Sequence, residues 1–237
     1  MALTCLQIIQ SACKRIGILS PNAVLSSSDQ QIIQLLEICN EEGQEQATRY
    51  PWEVLQVETT FLTLAAQLQG TISTIAPNYD YIVNNTIWNR TLRRPVYGPR
   101  SQQDWQQQKA MQINGPFNSF RIIADSINFY PNPAAGQTCA FEYITKNWIT
   151  KSVGGTSSIW TNDADTPLLD DQLIISGTIW RWKQIKGLDY SEDYAKYERR
   201  INDRMSKDAG KDKLNLNGTN YDIQPVILVP AGNWNVP

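Results

Sequence analysis

The chain has 237 residues, enough to bury a core as one large domain or two small ones. With 41% apolar and 19% charged residues it has a globular composition, and a net charge of −2 gives no whole-chain reason for nucleic-acid or anionic-membrane affinity. Histidine is absent, which removes Ser-His-Asp and Cys-His catalysis, histidine-containing zinc sites and the usual neutral-pH general base. The apolar runs fall far short of a membrane span, and the N-terminus lacks the basic-then-apolar order of a signal peptide, so a reducing cytoplasm is the expected place of synthesis. Cys5, Cys13, Cys39 and Cys139 are scattered without a Cys-x-x-Cys pair, and three of them sit on apolar helical stripes as small hydrophobes. No disulfide framework is expected.

Ala2, Leu6, Ile9, Cys13 and Ile16 predict a first amphipathic helix closing near Gly17. Ser28 with Gln31 reads as a capping box for a second helix, whose buried stripe is Ile32, Leu35, Leu36, Cys39 and Gly43, with Glu41, Glu42 and Glu45 toward the outside. Pro51 ends it, because the residue before a proline disfavours the helical basin.

The middle of the chain changes grammar. Trp52 to Leu64 is β-branched, aromatic and aliphatic in strand-length runs, and Tyr79 to Trp88 continues the pattern. Ser101 caps a short glutamine-rich helix around Trp105 that reaches Ile113. Phe117 to Thr145 carries the clearest strand signal, with a turn at Asp125-Ser126, another at Pro131–Gly136, and Cys139, Phe141 and Tyr143 alternating with Ala140, Glu142 and Ile144. Lys146 to Thr161 reads as a loop returning to the helices.

From Asp165 the helical period resumes. Asp165 and Thr166 before Pro167 form an expected helix entrance, and Leu169, Leu173, Ser176 and Trp180 recur at helical spacing. Gly177 lets a neighbour approach closely, and Gly187 suits a left-handed cap. Asp189 with Glu192 starts a last helix with Tyr190, Tyr194, Tyr197, Ile201 and Met205 on one face. Leu169, Leu173, Ile179 and Tyr194 are the expected core of this hairpin. The predicted fold is therefore α+β: a four-helix bundle of residues 1–50 and 163–210, a β-rich insertion with one short helix at 51–162, and a linker with an extended tail at 211–237. In that tail Tyr221, Ile223, Val226, Ile227, Leu228, Val229 and Trp234 lie among prolines, which suits a strand added to a neighbouring subunit or a partner, or folded back on the insertion.

Few motifs carry chemistry. Asp163, Asp165, Asp170 and Asp171 crowd a helix entrance, where capping accounts for them better than a hard cation. Glu53, Glu58 and Glu142 offer carboxylates for a glycosidase pair, which only a spatial separation defines. Arg90, Arg93, Arg94 and Arg100 form a local basic patch for DNA phosphates, a partner, or a solvated strand edge. Eight tryptophans and ten tyrosines suit interfaces as well as cores.

Several stretches taken in order resemble the head-to-tail adaptor proteins of tailed bacteriophages. They are Arg49-Tyr50-Pro51-Trp52-Glu53, Phe129-Tyr130-Pro131-Asn132-Pro133, Phe141-Glu142-Tyr143-Ile144, Trp160-Thr161-Asn162-Asp163-Ala164-Asp165 and Trp180-Arg181-Trp182-Lys183-Gln184-Ile185-Lys186-Gly187-Leu188-Asp189-Tyr190. The resemblance covers about residues 3–210; the tail matches in character alone. It implies a non-enzymatic virion subunit, without cofactor or metal, in a homo-oligomeric ring usually of twelve copies. Such a ring binds the portal protein, hands over to tail or nozzle proteins, and lets double-stranded DNA pass without sequence-specific binding. The alternatives are another virion ring component, such as a stopper or tail terminator, and a carboxylate-dependent cell-wall hydrolase.

Overall fold

The computed structural model describes residues 2–112 and 115–208. Tyr221, Ile223, Val226, Ile227, Leu228, Val229 and Trp234, and with them the expected tail, lie outside the described residues. In chain order the elements are α1 (Cys5–Ile16), α2 (Gln30–Arg49), a 3₁₀ turn (Glu53–Leu55), β1 (Gln56–Leu62), β2 (Leu68–Thr71), α3 (Ile72–Ile75), β3 (Tyr79–Ile82), β4 (Trp88–Asn89) and β5 (Arg94–Pro95). They continue with α4 (Gln102–Ala110), β6 (Ser119–Ile123), β7 (Ser126–Tyr130), β8 (Thr138–Thr145), β9 (Ile149–Thr150), β10 (Thr156–Ser157), β11 (Thr166–Pro167), α5 (Asp171–Ile185) and α6 (Ser191–Lys207).

The four-helix bundle carrying an insertion is overturned. The described residues form six α-helices and three antiparallel sheets, a β-rich α+β fold in which the sheets carry as much of the architecture as the helices. The first sheet runs β1-β8-β4-β5 with β3 also on β8; the second is β2-β7-β6; the third is β10-β9-β11. Two strands of that third sheet, β9 and β10, lie within the stretch expected to be a loop from Lys146 to Thr161. Its strands are two residues each, too short for any periodic signal.

Strand β8 joins the two halves of the molecule. Its expected alternation is absent: every residue from Cys139 to Thr145 except Glu142 is buried. Cys139, Phe141 and Tyr143 enter a core where the two larger sheets meet, and Phe61 stands edge-on to Phe129 and Phe141 at 5.9 and 6.1 Å. Ile144 enters the other core, made by α1, α2, α5 and α6 with Trp148 and Trp160. A strand covered on both faces has no solvent side to register a period of two.

Within the helical core α5 is the hub, packed on α1, α2 and α6. Its breadth of burial requires this: Ile174, Ile175, Thr178, Ile179, Trp180, Arg181 and Trp182 are all buried. Leu169, Leu173 and Ile179 are core as expected, but Tyr194 is 42% exposed, edge-on to Trp180. Tyr197 and Ile201, three and seven residues on, take the buried face of α6. Glu42, expected outside, is wholly buried against α5. Gly177 is the close approach that admits it, since a Cβ there would overlap the Glu42 carboxylate.

The entrances of α2 and α5 differ from expectation in their capping residue. Thr4 closes a capping box with Gln7 on α1, Asp29 rather than Ser28 caps α2, and Asp170 rather than the Asp165–Pro167 run caps α5. Thr166 and Pro167 are extended and pair with β9. Asp189 accepts from Ser191 N and Oγ just ahead of α6. The acidic cluster thus serves backbone donors one residue at a time. Asp163 accepts from Val24 and Leu25 N at 3.0 and 2.9 Å, Asp171 from Leu3 N at 2.8 Å, and Asp165 from Ser152, Thr161 and Asn162 N at 2.8, 3.0 and 2.8 Å. Burial acts to raise the Asp165 carboxyl, but these donors and the Thr161 hydroxyl outweigh it and hold it below 3.8. A depressed folded pKa stabilises the fold above the unfolded value and loses that contribution as pH falls through the folded one. Asp165→Asn should cost about 2 kcal/mol at neutral pH, because hydrogen bonds to a charged acceptor are lost and an amide N–H₂ faces other donors. Urea titrations from neutral to acid pH should show the wild type losing this advantage in acid and the variant lacking that loss.

Candidate functional site

A cleft of about 560 Å³ opens on the face of the first sheet. Glu58, Asn85, Trp88, Asn89, Arg90, Arg93 and Glu142 contribute to its lining. Antiparallel register builds it: Glu58 of β1 lies directly opposite Glu142 of β8, and Trp88 of β4 opposite Ala140 on the other side of β8. Two carboxylates facing each other across strands repel, which costs stability unless a cation or donor intervenes. Here both intervene. Arg90 Nη2 bonds Glu58 Oε1 at 2.5 Å, and Gln56 Nε2 donates to Glu142 Oε2. The Asn89 amide is satisfied internally, donating to Gln137 Oε1 at 2.7 Å and accepting from Leu92 N at 2.9 Å, so it shapes the turn after β4 and offers the cleft little polar reach.

The structure divides the four arginines taken as one patch. Arg90 and Arg93 face the cleft, with Arg93 in a left-handed backbone conformation. Arg94 turns to the Pro116 carbonyl at 3.1 Å and stacks over Phe117 at 5.9 Å. The backbone N–H of Arg100 donates to Phe120 O at 2.9 Å, while its side-chain Nε is buried without a partner. A run of arginines close in sequence crosses two turns, and each turn redirects the next side chain. Of the three carboxylates, Glu58 and Glu142 meet and Glu53 does not; Glu53 begins the 3₁₀ turn, where its N–H bonds Asp208 at 3.0 Å.

Hydrolysis by a carboxylate pair needs one neutral acid and one ionised partner. Here both carboxylates are already engaged, Glu58 by Arg90 and Glu142 by Gln56. Nucleophilic thiol chemistry has no support either. All four cysteines are buried, and burial pushes Cys139 up to about 11 and Cys39 up to about 12. Among the described residues no group of three or more Cys, Asp or Glu is placed to hold a metal ion, and no helix is long and apolar enough to cross a membrane.

Two features escaped the sequence reading. The first is a buried ionic cluster in which Arg181 Nε bonds Glu42 Oε2 at 2.6 Å, its Nη1 bonds Glu41 Oε1 at 3.0 Å, and its Nη2 bonds Glu45. Arg181 also stacks on Trp180, 4.7 Å from the ring centroid. The run of glutamates at 41, 42 and 45 was visible in the sequence, but the cation that gathers them, 136 or more residues away, was not. The second is a groove of basic side chains on the opposite side of α5, drawn from three helices and without any linear signature. Against models of known protein families and against curated proteins, the chain has no match.

Proposed function

We propose that this chain is a non-catalytic structural subunit of a phage head–tail connector, assembled as a ring, attached to the portal and passing double-stranded DNA toward tail proteins. The observation that carries this reading is a pair of separate exposed apolar surfaces, one on each half of the fold. At the corner between α5 and α6, Ile185 and Leu188 are 53% and 55% exposed, with Tyr190 and Tyr194 beside them. At the β1–β2 end of the sheets, Leu62 is 64% exposed, with Leu64 and Leu68 also largely in water. Apolar side chains grouped in this way mark contact surfaces. Two unlike surfaces on one chain suit heterologous contacts, which form a ring when the rotation between copies closes. The series of phage-adaptor-like stretches from Arg49 to Tyr190 supplies the identity of the ring, and the tail around Val226–Val229 is assigned to docking on the portal or a neighbouring subunit.

The test uses virions and purified portal. A label on this chain should appear at the head–tail junction, and label elsewhere in the virion would overturn the reading. In binding to portal rings, Ile185→Asp/Leu188→Asp and a truncation after Leu216 should each leave a folded protein whose binding falls at least tenfold. Unchanged binding by both would remove the assigned contact surfaces.

A further inference from the structure

The groove beside α5 gathers four cations, and among the described residues only one of them has a carboxylate partner. Arg15 comes from the last turn of α1, Lys183 from α5, and Lys196 and Arg200 from successive turns of α6. With Ser176, Ile179 and Asp193 they line a cavity of about 350 Å³. Asp193 is the one acidic lining residue, and it is already paired with Lys183. Of the other carboxylates of α6, Glu198 holds Arg49 at 2.6 Å and Asp203 holds Lys207 at 2.7 Å, and Glu192, one turn before Lys196, makes no ion pair with it. Arg15 Nη2 donates to the neutral Gln172 Oε1 at 3.2 Å, which orients the guanidinium and leaves its charge uncompensated. Among the described residues, Arg15, Lys196 and Arg200 therefore have no carboxylate within 4.0 Å.

Helical geometry isolates this positive field. With about 3.6 residues per turn, Ser176, Ile179 and Lys183 lie on the side of α5 opposite Gly177, Arg181 and Ile185. The glutamates of α2 gather on that opposite side and cannot reach the groove. A chain whose net charge is −2 thus concentrates uncompensated cations in a concavity, which draws anions toward it. A planar carboxylate is satisfied by one bidentate arginine. Two guanidinium and two ammonium groups arriving from three helices suit instead an oxyanion with more oxygens and more charge.

We propose that the α1–α5–α6 groove is a phosphate-binding site, in which Arg15, Lys196 and Arg200 hold phosphate oxygens and Lys183, anchored by Asp193, closes the rim. The phosphate belongs either to a nucleic-acid backbone or to a free phosphate. The site does not depend on the connector reading, and its failure would leave that reading untouched.

The full chain is titrated with inorganic phosphate and separately with a short DNA duplex, each at several fixed ionic strengths. The titrations are repeated with Lys196→Ala/Arg200→Ala, whose exposed positions leave the core intact. Saturable phosphate binding that weakens at least tenfold in the double variant supports the site. A duplex that binds more tightly than phosphate, with a salt slope that falls by about two in the variant, assigns the backbone as the source. A duplex no tighter than phosphate assigns the free ion. Equal titrations for wild type and variant, or no binding of either probe, overturn the proposal. So does a variant effect confined to self-association in phosphate-free buffer, which would give the groove to the acidic surface of a second copy.

Discussion

Replacing Arg181 with methionine is expected to destabilise the protein by about 3–5 kcal/mol, the cost of leaving a buried charge without its partner. Glu42 is 0% exposed, and its two carboxylate oxygens are held by Arg181 Nε and Gln46 Nε2, each at 2.6 Å. Glu41 and Glu45 point at the same guanidinium from the rim. Without it, a fully desolvated carboxylate would sit beside two others of the same sign. Tyr197 already registers that field: burial first, and the Glu42 charge next, drive its hydroxyl well above the ordinary tyrosine value. Urea unfolding should show a lower midpoint with an unchanged slope. Changing both partners, Arg181→Met with Glu42→Leu, should recover much of the loss, because an apolar pair in place of a buried ion pair is often neutral or better. A loss below about 1 kcal/mol in the single variant would instead place the cluster among solvated surface pairs.

Gly43→Ala should be nearly as damaging, at or above the top of the usual overpacking range of about 1–3 kcal/mol. A Cβ at position 43 would overlap the six-membered ring of Trp148, 2.1 Å from Cζ2 and 2.2 Å from Cη2. That indole cannot retreat. It is wholly buried, its Nε1 donates to Ser158 O at 2.9 Å, and its edge meets Trp160 at 5.1 Å between centroids. Relief would have to come from α2 shifting as a body, and the Arg181 cluster resists that movement. Thermal unfolding of the variant should show a fall of several degrees or more. A fall of a degree or less would mean that the Trp148 pocket yields.

Both predictions fall on contacts that no reading along the chain could supply. The sequence by itself determined where the long helices lie, because apolar residues at i, i+3, i+4 and i+7 and a capping side chain are set within one or two turns. It located the β6–β7 hairpin and Ser101 as the cap of α4 for the same reason. The tertiary structure alone decided which helix became the hub, that β8 would be buried on both faces, and that two-residue strands would build a third sheet. It alone set Glu58 opposite Glu142, turned Arg90 and Arg93 away from Arg94 and Arg100, and drew Arg15, Lys183, Lys196 and Arg200 into one groove. Periodicity records which side of an element is apolar, and it is silent on which neighbour covers that side. The choice of neighbour comes from long-range register and close approach, at Gly43 on Trp148 and Gly177 on Glu42, where a single Cβ decides whether two elements can meet.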